Sequence, residues 1–426
     1  MNNSTRVLIG ATMIAALAAC GGGSGGSQPT DRAPTDSTTT APAAATTTLA
    51  AYVATRGDRV SVQGFPAPTA EERAWLFDDS RERAVAQVAA ALPTSGNAIA
   101  LPPLQASFIQ TVAAAARGET LAELLRAYPA TAPGFYSSML RTQGVQRQLL
   151  SAPGARFLPG FLEATDSYGP LPPLAAWVGK ETGDLGFSGD VRLVVTDEFR
   201  ERVTMPKGEL FDGIFADEAQ VRQLVPMTRF TVGVVQHRGS DFVAQALTLG
   251  GRLLVKIEPT AASTLAFSRQ RLSPALTEVV QIVTAPTLVA LPQGAMVLPR
   301  AGLAPDGLEV APAALSRAFD ELRADLRGLD GGGTYLRAYS GPSALRIDDS
   351  VMEVGGYHDL AFVHSQRNPY SPGTYAGGTT LWSWGVECPA GAADLRSFFL
   401  VLLDADKRVL ALAAVGALEA EYCWDQ

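Results

Sequence analysis

Histidine and cysteine are scarce, with three of each in 426 residues. That scarcity leaves little material for a metal site, which needs Cys and His at short, fixed spacings. His358 and His364 stand six apart in "YHDLAFVH", not the four of a helical zinc pair, and His237 is remote from both. In a strand that spacing puts His358 and His364 on one face, as a surface or hydrogen-bonded pair. Cys388 and Cys423 have no Cys or His nearby at ligand spacing. No metal and no cofactor is expected.

Catalytic signatures are missing as well. There is no G-x-S-x-G elbow, and "SGPS" at 340–343 is better read as a turn. "GLDGGGTY" is glycine-rich but lacks the phosphate-loop spacing and its Lys-Ser/Thr. Nothing assembles a nucleophile, a base and an oxyanion hole, so no enzyme is expected. Charge of one sign is also in short supply: 34 Lys and Arg against 42 Asp and Glu give a net charge of −8. No Lys/Arg-dense face is visible, which excludes nucleic acid as an expected partner.

No apolar run is long enough to cross a bilayer. The N-terminal run from Val7 to Ala19 follows Arg6 and is too short for a spanning helix, so it predicts a signal-peptide core. It ends in Leu17-Ala18-Ala19-Cys20, which matches the bacterial lipoprotein processing box; the alternative is an ordinary signal peptide with an incidental Cys. The expected mature chain begins at a lipidated Cys20. With Gly21 rather than Asp beside it, the expected address is the outer membrane or cell surface. Lipid chains anchor a protein without making it span. Residues 21–49 are Gly, Ser, Thr, Pro and Ala with few large apolar side chains, a composition that predicts a flexible tether. The expected organisation is therefore 1–20 signal, 21–49 tether and 50–426 folded domain. In an exported setting Cys388 and Cys423 either pair or stay as two thiols.

Within the body, "TAEERAWLFDDSRERAVAQVAAAL" and "LQASFIQTVAAAARGETLAELLRAYPA" have helical spacing, the second broken at Gly118. "LAAWVGKET" predicts a short helix and "DVRLVVTDEFRERVTM" a strand. From Phe211 to Val289 alternating segments with glycine turns predict strands, and "TAPTLVALPQGAMVLP" adds two more. "PAALSRAFDELRADLRGL" predicts a helix, with Leu315, Phe319, Leu322 and Leu326 on its apolar positions. "SFFLVLLDADKRVLALAAVGAL" predicts two buried strands around a turn at Asp404–Lys407. Helices first and sheets after make this an α+β chain.

The order of these segments resembles the serpin family. "GNAIALPPLQASFIQTVAAAARGETLAELL" is similar to that family's strand-to-helix N-P-x-S-I-S segment, with Pro103, Leu104 and Ser107 matching. "LAAWVGKETGDLG", "GIFADEAQVRQLVPMTR", "LVALPQG", "LSRAFDELRADLRGL" and "LRSFFLVLLDADKRVLALAAV" resemble further family segments in the family's order. The resemblance implies a serpin-like α+β fold: a large mixed β-sheet with further sheets, an N-terminal helical cluster and an exposed reactive loop. The segment from Leu345 to Gly373 is longer than usual for the family.

The same resemblance implies where the loop lies. Counting 27 back from Phe398 reaches Ser371 (398 − 371), just before "PGTYAGGTTLWSWGVECPAG". In the family this loop enters a sheet as an extra strand after a protease cuts it. The expected hinge is Gly373, Thr374, Ala376, Gly378 and Thr380, where Thr374, Ala376, Gly378 and Thr380 are the small inward residues. A large inward residue would overpack the core beneath. Trp382, Trp384 and Val386 share that face, so insertion is expected to stop near Trp382. The expected cut lies near Val386, Glu387 and Cys388, and a Cys388–Cys423 disulfide would staple the downstream side. The expected function is a membrane-tethered, monomeric inhibitor that traps a serine or cysteine protease. The alternative is a non-inhibitory lipoprotein of the same fold that acts as a binding module; alternating small residues at the hinge favour the first, and the two tryptophans the second.

Overall fold

A computed structural model of the chain describes residues 45–56, 70–128, 144–152, 154–165, 191–217, 222–239, 241–260, 269–284, 291–303, 316–320, 323–364, 386–387, 394–418 and 421–424. All fall in one unit, Ala44–Gln426. The signal segment, Cys20 and most of the expected tether lie outside them, as does "LAAWVGKET". The described residues begin at 45, slightly before the boundary expected at 50. Strand β1 (Thr47–Thr48) pairs with β4 (Arg156–Phe157), and α1 (Leu49–Arg56) follows at once.

The Ala-rich segment forms one long helix, α2 (Ala70–Ser95). The next segment forms α3 (Pro102–Ala115) and α4 (Gly118–Ala127). Pro102 and Pro103 open α3, where the first turn has no intrahelical use for their missing N–H groups. Gly118 has φ +53°, a left-handed backbone that suits glycine. Three more helices complete the set among the described residues: α5 (Pro159–Thr165), α6 (Arg269–Thr284) and α7 (Ser316–Phe319).

Three larger sheets carry the rest. The back sheet has the order β2 (Asn97–Ala100), β18 (Val409–Val415), β17 (Phe398–Leu403), β10 (Arg252–Pro259), β9 (Phe242–Leu249) and β8 (Val234–Arg238). Its centre is the terminal hairpin read from the sequence, and every residue of β17 and β18 is buried. The front sheet has the order β15 (Val386–Glu387), β19 (Glu421–Trp424), β7 (Arg222–Phe230), β6 (Glu209–Ala216) and β16 (Asp394–Arg396), and β11 (Met296–Pro299) also pairs with β7. The main sheet has the order β12 (Ala301–Leu303), β13 (Tyr335–Ile347), β14 (Val351–Val363), β5 (Val191–Thr204) and β3 (Val145–Ser151). It is antiparallel throughout the described residues, and the parallel pairs, β15 with β19 and β16 with β6, belong to the front sheet.

Three expectations need correction. Within the stretch read as strands from Phe211 to Val289, Arg269–Thr284 is helix α6, because Leu272, Leu276 and Val279 recur at helical spacing and are buried together. "SGPS" is not a free turn: it lies inside β13, at a register shift between Ser340 and Ser343. Pro342 cannot donate to the ladder, so the strand bulges there instead of ending. Of the helix expected over 312–329, Ser316–Phe319 is helical among the described residues, and 323–329 is not, because that stretch uses its backbone on another element. Arg117 N–H donates to the Asp325 carbonyl at 2.8 Å and Gly328 N–H to the Ala115 carbonyl at 2.9 Å. Leu326 and Leu329 are buried all the same.

The core has three main parts. One lies between the three sheets and includes Phe199, Phe215, Phe230, Phe398, Met352 and Val354. A second packs α2 and α6 on the back sheet. The third packs α3, α4 and α5 beneath the main sheet, against Val195, Leu360 and Phe362. Leu360 is fully buried there. Leu360→Ala is expected to lower unfolding free energy by about 2–5 kcal/mol, measured by chemical denaturation; a loss well below that range would place β14 outside the packed core.

Candidate functional site

The centre of the main sheet is held by β14. Thirteen residues, from Val351 to Val363, pair antiparallel with β13 on one side and with β5 on the other. From Val354 onward every residue of the strand is buried. Because side chains alternate, one set points at the core beneath the sheet. Met352, Val354, Leu360 and Phe362 belong to that set, and they pack into two of the core clusters. Gly356 shares the face; a Cβ added there would sit 2.9 Å from Leu101 Cδ1 and 3.1 Å from Ser343 Oγ.

His358 is the polar member of that face. Its register partner on β5 is Asp197, and the partner of Asp197 on β3 is Arg147. Three titratable side chains therefore form one row across three strands, all buried, with Asp197 fully so. His358 Nε2 donates to Asp197 Oδ2 at 3.0 Å. Arg147 reaches the same carboxylate twice, from Nε to Oδ1 at 2.7 Å and from Nη2 to Oδ2 at 2.9 Å. The sequence of α3 completes the site from below. Ser107 Oγ donates to Asp197 Oδ2 at 2.5 Å, and Arg147 Nη2 donates to Ser107 Oγ and Thr111 Oγ1 at 2.6 and 2.7 Å. Arg147 Nη1 also reaches the Thr165 carbonyl of α5 at 3.3 Å, and Phe108 meets the His358 ring edge-on at 5.7 Å. Two helices and three strands share one ion-centred cluster.

Burial alone would push the Asp197 carboxyl up. The charge and hydrogen bonds of Arg147, with the His358 hydrogen bond, outweigh it and hold the group below the usual carboxylate range. The chemistry this supports is fixation. A carboxylate with Ser and His partners suggests acyl transfer on paper, but here the Ser hydroxyl points at Asp197 and not at His358. All of these groups are withdrawn from solvent.

Of the expected site residues, Val386, Glu387 and Cys423 are among those described. Gly373, Thr374, Ala376, Gly378 and Thr380 lie outside the described residues, as do Cys388 and Cys20. The strand in the middle of the sheet begins at Val351, 20 residues before Ser371 (371 − 351). Val386 and Glu387 form β15, which runs parallel to β19 with Val386 opposite Cys423 and Glu387 opposite Trp424. Among the described residues β15 is an edge strand, paired on one side. The two histidines also part company. His358 is in the cluster, whereas His364 lies past the end of β14 with Nδ1 3.3 Å from the Gly333 carbonyl. Among the described residues no group of three or more His, Cys, Asp or Glu side chains could hold a metal ion.

Sequence reasoning matched Ser107 to a family segment but missed Arg147, Asp197 and His358 as partners. No local spacing links positions 147, 197 and 358. Only the strand register brings them into a row.

No family model matches the chain, and no curated protein does. Solved structures do. A thermophilic serpin, tengpin, in the latent state matches with a TM-score of 0.59 at 12% identity, covering 83% of this chain and 100% of that one. A cleaved serpin, Serpin 42Da, matches with a TM-score of 0.58 at 14% identity, covering 82% and 98%. The loop-inserted structure of a cleaved ovalbumin mutant matches with a TM-score of 0.57 at 13% identity, covering 80% and 99%. At these identities the likeness establishes the fold, which is serpin-like, as the order of motifs implied.

Linkage gives the cluster a pH signature. A carboxyl held low in the fold contributes stability above its unfolded value, about 3.9, and loses it as pH falls below that. Asp197→Asn is expected to cost about 3–5 kcal/mol at neutral pH, because it leaves Arg147 buried without its counter-charge. The variant should also lose part of the wild-type decline in melting temperature below about pH 4. Equal acid profiles for the two proteins would contradict the assignment.

Proposed function

We propose that this chain is a serpin-fold binding module of the bacterial cell envelope, whose main sheet is completed by its own strand β14 as the chain folds. It does not work by strand insertion. The observation that carries this reading is the make-up of β14. A strand that enters a sheet on demand needs small inward side chains, since large ones require space prepared in the core. The inward face of β14 brings Met352, Val354, His358, Leu360 and Phe362 into packed and hydrogen-bonded places. Without the strand, each large apolar side chain would forfeit about 1.5–3 kcal/mol of burial. Asp197 would lose one of its donors as well.

Chain length supports the same reading. Twenty-two residues, 364–385, join the end of β14 to β15 of the front sheet (385 − 364 + 1). Fully extended they reach about 75 Å. A strand of 13 residues spans about 44 Å. An intact chain can therefore hold β14 in the main sheet and β15 in the front sheet together, with no cut between them.

The rest of the reading comes from the sequence. A lipidated Cys20 and a tether of residues 21–44 would hold a monomeric domain near a membrane, at the outer membrane or cell surface. A Cys388–Cys423 disulfide would join the segment after β15 to β19. Among the described residues β15 and β19 run side by side, with Val386 opposite Cys423.

A second reading is a protease inhibitor of the serpin type, cut near Val386, Glu387 and Cys388, with a hinge at Gly373–Thr380. One observation favours it: the similar structures include cleaved and loop-inserted forms.

Limited proteolysis of the full chain with elastase and a glutamate-specific protease, followed by melting and a denaturing gel, separates the two. The binding-module reading expects a nick within 364–393 that leaves the melting temperature unchanged and yields no covalent adduct. A large rise in melting temperature with a protease adduct would replace it by the inhibitor reading.

A further inference from the structure

The outer face of the main sheet has a cross-strand row of its own. At the end where β14 begins, Arg202 of β5, Glu353 of β14 and Arg346 of β13 are successive register partners, so their side chains share one face. Arg200 stands two residues along β5 from Arg202, and its partner on β14 is Gly355. Arg300, just before β12, closes the group beside Asp348. Glu353 Oε1 is approached by Arg200 Nη2 at 3.2 Å and Arg202 Nε at 3.3 Å. Asp348 is approached by Arg300 at 2.7 Å and Arg346 at 3.7 Å.

The balance is uneven. Four guanidinium groups share two carboxylates, and Glu353 lies lower than its partners, while Asp348 is nearly as exposed as Arg300. The side chains of Arg202 and Arg346 are 66% and 69% exposed, whereas that of Glu353 is 12% exposed. Solvent at this end of the sheet meets guanidinium in excess, on a protein whose net charge is −8. Arginine presents its N–H donors in a fixed fork that fits phosphate and sulfate oxygens two at a time. Strand geometry sets the spacing: Arg202 and Arg346 are two strands apart, roughly 10 Å, and Arg200 and Arg202 roughly 7 Å. A lone anion would engage one fork, and a ligand with several anionic groups at that spacing would engage more.

We propose that this face, assembled across β5, β14 and β13, binds a polyanion carrying two or more phosphate or sulfate groups. The inference rests on the reading that β14 is resident, because β14 brings Glu353 between the two arginines and holds β5 and β13 in register. Glu353 then orders the arginines and at the same time weakens the field they present.

The test is calorimetric titration of the full chain with tripolyphosphate. Vesicles of phosphatidylcholine with and without phosphatidylglycerol form a second arm. Binding is expected to weaken about tenfold or more in Arg202→Gln and in Arg346→Gln, and to fade at high salt. Glu353→Gln is expected to tighten it. Comparing arginine variants on the vesicles cancels any attachment through an N-terminal lipid. Loss in both arms points to membrane phosphate as a source, and loss with tripolyphosphate alone points to a soluble ligand. Absence of binding in both arms, with melting unchanged, overturns the proposal and leaves the resident strand standing. Binding that depends on the arginines but ignores Glu353→Gln overturns the assembled face, and the position of β14 with it.

Discussion

One carboxylate holds the middle of the main sheet to the layer beneath it. Asp197 takes hydrogen bonds from Arg147 on one neighbouring strand, His358 on the other and Ser107 on the helix below. None of these groups tolerates burial alone, and together they satisfy one another. The strand that carries His358 is therefore needed by the polar core as well as by the apolar one. Remove it, and a buried charge loses a partner while Leu360 and Phe362 leave their pockets. The identity of the central strand follows from this cluster, and the functional reading follows from the identity of the strand.

The remaining architecture allows that strand to stay. The back sheet is closed by the terminal hairpin, and Lys256 fastens it to the front sheet. The Lys256 ammonium is fully buried, donates to the Val297 carbonyl at 2.6 Å and lies 5.1 Å from the centroid of the Phe398 ring. Burial pushes its pKa down, and Glu258 at 2.6 Å partly restores it. Among the described residues, 364–393 gives the front sheet only its edge strand β15, and every other strand of the two flanking sheets lies outside that span. The stretch between β14 and β15 has to be long enough, and it is. A serpin-like fold with a filled main sheet is thus open to an intact chain, and the two faces of β14 do different work. The inner face anchors, and on the outer face Glu353 pairs with Arg200 and Arg202.

Much of this was legible in residues taken one segment at a time. The Ala-rich spacing of residues 70–92, the break at Gly118, the strand beginning "VRLVV" and the double apolar run around Asp404–Lys407 each state their own conformation. Their order pointed to the fold. The β13–β14 hairpin did not announce itself, for physical reasons. Pro342 interrupts β13 with a bulge, and Gly355–Gly356 interrupt β14 with the usual signal of a turn. Burial on both faces removes the alternation that marks a half-exposed strand. The hinge expected at Gly373–Thr380 rests on the run "PGTYAGGTT", whose small residues satisfy the insertion rule, and it lies outside the described residues. The Asp197 cluster needed the register itself.

Amide hydrogen exchange of the intact, uncut chain, read over 351–363, tests the central claim most directly. A resident strand bonded on both edges should exchange as slowly as β13 and β5, opening only when the sheet itself opens. Fast exchange confined to 351–363, with β5 and β13 still protected, would contradict the account and mark β14 as a segment that comes and goes.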